Sequence, residues 1–213
     1  MPRVSAGTEP GVSRRVTGDP YCYPGSTVLR NKLNLTDAGA LRYEERQWVI
    51  QRAREGIPTG NFDLTHLCAI HHHLFQDVYA WAGELRTVEI AKGGHQFQFR
   101  RFIGTGTGMA DIHRRLTKAN FLRGLTRTAF AKAVDAIMGD VNYVHPFREG
   151  NGRTQLCYLE QLAGQAGHLI DLRRLDPTRW IEASRAAHAG DYAPMISAIA
   201  RAITIKPTSS SSR

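Results

Sequence analysis

Val144-His145-Pro146-Phe147-Arg148-Glu149-Gly150-Asn151-Gly152-Arg153 is the stretch on which the reading of this chain turns. It is polar and bears two glycines, yet it stands between two runs of helical apolar spacing. Upstream, Phe130, Val134, Ile137, Met138, Val141 and Val144 step by three and four; downstream, Leu156, Tyr158, Leu159 and Leu162 do likewise, with Gly167 as a stop. Pro146 disfavours the α conformation at His145, so the first helix should end there and leave the imidazole in the connection. Gly150 and Gly152 then let the backbone turn tightly and aim N–H groups inward, ahead of a helix whose N-terminus carries partial positive charge. Such a corner is a phosphate cradle. The side chains suit the same ligand. Glu149 is a hard oxygen donor for Mg²⁺ shared with phosphate oxygens, Asn151 can bond one phosphate, and Arg153 offers a charged fork to a second. His145 titrates near neutrality and can act as general base, while Phe147 reads as an apolar anchor for the loop.

Outward from this corner the chain reads as helices with one interruption. Thr36 or Asp37 caps a helix reaching about Glu55, where Gly56 stops it. Asp63 opens a second, whose stripe Leu64, Leu67, Ile70, Leu74, Val78 and Trp81 faces a core. His71, His72 and His73 lie within that helix about 100° apart, so they cannot converge on one metal. Residues 85–91 and 96–100 read as extended, joined by the tight turn Lys92-Gly93-Gly94-His95. The glycine-rich run 104–108 lacks a surrounding βαβ unit and reads as a loop into a helix over about 109–121. Asp176-Pro177 and Asp191 mark two further helix starts. The prediction is an all-α fold, a bundle of seven to eight helices with one β-hairpin. The body spans residues 19–203, between flexible tails at 1–18 and 204–213.

A chain of 213 residues with 42% hydrophobic and 22% charged residues suits one globular domain. No apolar run is long enough to cross a bilayer and the N-terminus lacks the apolar stretch of a signal peptide, which predicts a cytoplasmic protein with no membrane partner. Cys22, Cys68 and Cys157 lack CxxC spacing, so neither a disulfide framework nor a zinc site is indicated. The net charge of +9 favours an acidic partner, an anionic cofactor or nucleic acid; with no recognised nucleic-acid motif, direct nucleic-acid binding is not the expectation.

The segment 145–153 matches the pattern HxFx(D/E)GNGRxxR at every defined position but the last, and on that ground the chain resembles the Fic family. Residues 19–25, 74–83 and 86–94 also look like the short, antitoxin-partnered bacterial Fic toxins and the Fic domains of secreted effectors, so the likeness covers about residues 19–203. It implies the Fic fold and a protein adenylyltransferase that moves AMP from ATP onto a Ser, Thr or Tyr hydroxyl of a target protein. His145 would be the catalytic base and Glu149 the metal ligand for Mg²⁺. Gly150, Asn151, Gly152 and Arg153 would hold phosphates, and the hairpin with Lys92 and Gly93 would be a flap that aligns the target. Implied partners are a target such as a type II topoisomerase or a host protein, and a separate small antitoxin. Secretion into a host cell follows if the chain is an effector.

The pattern's final Arg falls at position 156, where this chain has Leu156. In the family that Arg contacts the γ-phosphate. The related Doc kinases also lack it, but carry Lys where Gly152 stands here, so AMP transfer is the preferred reading. The rivals are a Fic/Doc-type phosphotransferase or a transferase of another nucleotide, and a non-catalytic module binding through Arg100, Arg101, Arg114, Arg115, Lys118, Arg123 and Arg127. No Ser or Thr stands four residues before Glu55-Gly56 or Glu149-Gly150, so the inhibitory pattern (S/T)xxxE(G/N) is absent.

Overall fold

A computed structural model describes residues 18–92 and 95–204. Residues 1–17, 93–94 and 205–213 lie outside the described residues, and with them most of the expected tails and the glycines of the expected turn. Seven α-helices occur among those described: α1 (Ala38–Glu55), α2 (Leu64–Phe75), α3 (Met109–Lys118), α4 (Arg127–Val144), α5 (Asn151–Ala166), α6 (Pro177–His188) and α7 (Ala193–Ala202). The starts follow side-chain chemistry. Asp37, Asp63, Thr126 and Asp176 each accept the N–H three residues on, tying off a donor that the helix itself cannot satisfy. Pro177 at the first turn of α6 loses nothing, because its missing N–H would have had no helical partner.

Helices α4 and α5 run through the middle. Phe130, Val134 and Val141 of α4 and Tyr158, Leu159 and Leu162 of α5 are fully buried against Leu67, Ile70, Leu74 and Phe75 of α2 and Met195 and Ile199 of α7. The connection between α4 and α5 is therefore held between two fully buried helix faces. No helix among the described residues is long and apolar enough to cross a membrane.

Three expectations are corrected. Helix α2 ends at Phe75, not near Trp81: Arg52 grips Asp77 at 2.6 and 2.8 Å, and the chain then turns back so that Gly83, at φ +85°, lies against α2. Val78 is buried from that turn, and Trp81 packs there against the core, so the spacing that mimicked a longer helix reflects packing without helix. Helix α3 stops at Lys118 because Asn120, Phe121 and Leu122 adopt positive φ of 48°, 51° and 61°. The hairpin ladder is also shorter than the extended runs suggest. Only β1 (Ala91–Lys92) and β2 (His95–Gln96) pair, antiparallel, with Ala91 opposite Gln96 and Lys92 opposite His95. A second antiparallel pair, β3 (Leu169–Ile170) with β4 (Ile203–Thr204), was not expected; it closes the end of α7 onto the end of α5.

Candidate active site

Helix α4 ends at His145, which takes the left-handed conformation (φ 44°, ψ 62°) ahead of Pro146. A non-glycine residue there is uncommon, and neighbours determine it. The N–H of Arg86 donates to the Pro146 carbonyl at 2.9 Å, and the Arg86 Nε donates to the His145 carbonyl at 2.9 Å. Arg86 is itself buried and also bonds Val88 and Gln98 carbonyls, so it staples the segment before the hairpin to the loop. The His145 ring stacks on Phe97 with centroids 3.7 Å apart, and its Nδ1 lies 3.1 Å from the Asn142 carbonyl. A carbonyl only accepts, so Nδ1 carries the proton and the basic lone pair is on Nε2.

Beneath the loop His71 is fully buried and stacks on Phe147 at 3.8 Å. Its Nδ1 accepts the Gly83 N–H at 2.8 Å, so its Nε2 carries the proton and donates to the Glu149 carbonyl at 3.0 Å. Burial pushes the imidazole down to about 4, which keeps it neutral at pH 7. Because the folded state binds this proton more weakly than the ordinary value near 6.5, its contribution is present above that value and is lost as pH falls toward 4. Thermal denaturation of a His71→Gln variant should therefore show a flatter decline of Tm between pH 6.5 and 4 than the parent chain.

Gly150 caps α5 at φ 82°, and a Cβ there would lie 2.5 Å from the Phe75 ring. Gly152 differs from expectation. It does not shape a turn but sits in the first turn of α5, where a Cβ would meet nothing within 4 Å. Among the described residues no acceptor engages the N–H groups of Asn151, Gly152 or Arg153, while the Gly150 N–H is taken by Glu149 Oε1 at 2.9 Å. Three orphan donors at a helix N-terminus, beside a position with no side chain, are chemically able to take an anion.

The side chains divide. Asn151 does not reach outward: it is buried, its Oδ1 accepts the Phe147 N–H at 3.0 Å and its Nδ2 donates to the Phe147 carbonyl at 2.7 Å. Its side chain locks the loop, and its backbone N–H is the group left without an acceptor among the described residues. Glu149 is 46% exposed at its side chain, available to a cation. Arg153 lies over the Phe75 ring at 4.6 Å, 2.5 Å from Glu45 Oε1 and 3.6 Å from Glu149 Oε1. Glu45, on α1, also accepts from the Tyr79 hydroxyl. Arg148 turns away to Asp19, at 2.6 and 2.9 Å. The backbone of Lys92 is in β1, but neither its side chain nor Gly93 lies within what is described. Leu156, one turn beyond Gly152, is half-buried against the core and brings no charge.

His71, Arg86, Glu45 and Tyr79 are not foreseen as parts of the site, and Phe97, within the expected flap, is not foreseen as the ring stacked on His145. For His71 a signal existed, since it shares the core face of α2 with Leu67, Leu74 and Phe75. The partners of Arg86 and Glu45 come from distant segments, and spacing does not reveal them. A cavity of about 470 Å³ lies apart from this site; it is lined by Tyr21, Arg30, Lys32 and Trp81, among others, and by none of the loop residues.

The sequence profile of the Fic/DOC family matches residues 61–163. A probable protein adenylyltransferase of Sinorhizobium fredii, y4lH, is 40% identical over 187 residues, covering 87% of this chain and 96% of the relative. A probable protein adenylyltransferase Fic of Salmonella typhimurium is 34% identical over 189 residues, covering 87% of this chain and 92% of the relative. Among solved structures, the BepC protein of Bartonella tribocorum, a VirB-translocated effector with bound AMPPNP, superposes with a TM-score of 0.79 at 26% identity, covering 90% of this chain and 99% of that one. The chain belongs to the Fic/DOC family.

Proposed function

We propose that this chain is a protein adenylyltransferase whose His145 takes the proton of a target hydroxyl on Nε2. The hydroxyl oxygen attacks the α-phosphorus of ATP, the bond from that phosphorus to the bridging oxygen breaks, and pyrophosphate leaves. The observation that carries the reading is the pairing of a base of fixed tautomer with three unengaged amides on one short loop. The amides of Asn151, Gly152 and Arg153 meet phosphate oxygens, and Arg153 supplies positive charge where the leaving group gathers negative charge. The naming of the relatives as protein adenylyltransferases and the nucleotide in the Bartonella structure point the same way.

Glu149 suits Mg²⁺. Among the described residues no group of three His, Cys, Asp or Glu could hold a metal, and Mg²⁺ accepts a single carboxylate completed by phosphate oxygens and waters. When bound, the ion would neutralise phosphate charge. The hairpin would offer its edge to an extended target segment by strand addition. The same reading includes a separate small antitoxin, supported by the missing inhibitory pattern, and a target such as a type II topoisomerase or a host protein. It also takes the chain to act in the cytoplasm of its own cell or of a host.

Leu156 removes one phosphate contact relative to the family pattern. Leu156→Arg should raise ATP affinity about tenfold, the worth of one charged hydrogen bond, and leave AMP affinity unchanged; titration calorimetry with the two nucleotides checks this. The function itself is tested by intact-mass analysis of lysate proteins treated with ATP, Mg²⁺ and this chain. A gain of one adenylyl group on a protein is expected, and a gain of one phosphoryl group would establish the kinase reading instead.

A further inference from the structure

The chain leaving the hairpin carries an exposed pairing of aromatic rings and an arginine that the chemistry at His145 does not use. Phe97 lies on the His145 ring, and the next residue, Gln98, donates its N–H to the Tyr143 carbonyl at 3.0 Å. These contacts fix where the following residues emerge. Phe99 is 49% exposed and Phe102 36% exposed, and the Arg101 guanidinium lies 5.3 Å from the first ring centroid and 4.8 Å from the second. The neighbouring Arg100 is matched by Glu89, which accepts its N–H at 3.0 Å and lies 3.9 Å from its Nε. Arg101 has no carboxylate within ion-pair distance among the described residues, and it is exposed.

An arginine seated on two rings has few competing waters on those faces and a reduced choice of rotamers. A carboxylate that pairs with it forms a partly desolvated ion pair, stronger than one in open solvent. Phe99 stands two residues beyond Phe97, roughly 7 Å along an extended chain, so a peptide whose hydroxyl reaches His145 passes over this arginine within a few residues. Resting on the adenylyl-transfer reading, we infer that the segment modified by this protein is acidic, with an Asp or Glu close to the acceptor hydroxyl that pairs with Arg101. The rings beneath confer preference for a peptide with an apolar neighbour beside that carboxylate. The chain's positive balance extends the same preference over a longer range.

The test uses two fluorescein-labelled peptides with a central threonine and identical apolar residues, one flanked by aspartates and the other by lysines. Fluorescence anisotropy measures their binding to the full chain in the presence of a non-hydrolysable ATP analogue, and label from α-labelled ATP measures transfer. The parent chain should bind the acidic peptide at least tenfold more tightly. Arg101→Ala should bring the two within about threefold, and Arg101→Glu should reverse the order, with ATP affinity unchanged in both. Phe102→Ala should weaken the acidic peptide by more than it weakens the lysine-flanked one. Equal or undetectable binding of the two peptides by the parent chain, or a preference that survives Arg101→Glu, overturns the inference. So does an arginine-dependent affinity for a single-stranded oligonucleotide exceeding that for the acidic peptide. Acidic preference in binding without any transferred label would uphold this surface and count against the reaction instead.

Discussion

Replacing His145 by alanine should lower AMP transfer by about 10²–10⁴-fold while leaving ATP affinity within about twofold of the parent. The base contributes only when the hydroxyl proton departs, so its loss belongs in kcat. In the proposed reading the phosphate contacts reside in the first turn of α5 and in Arg153, and His145 makes none of them. Single-turnover labelling separates the two terms from binding measured by calorimetry. His145 also ends α4, but that role rests on its backbone and on Pro146, and alanine keeps both within reach. A parallel loss of ATP affinity would mean that the ring shapes the loop, and the assignment of a base would fail.

The two loop glycines should respond in opposite ways. Gly150→Ala places a methyl 2.5 Å from Phe75, a ring that is fully buried beneath His71, at a backbone φ of 82°. Overpacking and left-handed strain together should cost about 2–5 kcal/mol, visible as a large fall in Tm without any nucleotide. Gly152→Ala meets no neighbour and lies in a helix, where alanine is the better former by about 0.8–1 kcal/mol in a helix interior. Stability should hold or rise slightly. Nucleotide affinity should nonetheless drop at least tenfold, because the methyl occupies the space in which a phosphate approaches the amides. A stable Gly152→Ala protein that binds ATP normally would remove the phosphate from this position.

Much of this was legible because the helices announce themselves locally. Asp37, Asp63 and Asp176 cap the helices they were expected to cap, and Gly56 and Gly167 end theirs as expected. The corner at His145 could be read from Pro146 alone, since the restriction on the preceding residue acts within one peptide unit. The misreadings arise where two segments meet. Val78 and Trp81 continue the apolar spacing of α2, yet the Arg52–Asp77 ion pair and the Gly83–His71 hydrogen bond fold the chain back. The chemistry of Asn151 permits a phosphate contact, but the partner its side-chain amide takes, the backbone of Phe147 four residues earlier, is not legible in that chemistry. Glu45 shares the inward face of α1 with the buried Leu41 and Val49, but that spacing does not tell that Arg153 and Tyr79 are its partners. The course of one continuous loop can be read from sequence, whereas the partners that orient its side chains come from elsewhere in the fold.

The position of the α-phosphate over the loop amides, with His145 beside it, is tested most directly by following the two ends of ATP. The chain is incubated with Mg²⁺ and a protein acceptor, once with ATP labelled at the α-phosphorus and once at the γ-phosphorus. Radioactivity remaining on the acceptor from the α label and none from the γ label is the predicted result. Retention of the γ label with loss of the α label would place the nucleotide in the opposite sense and contradict the assignment.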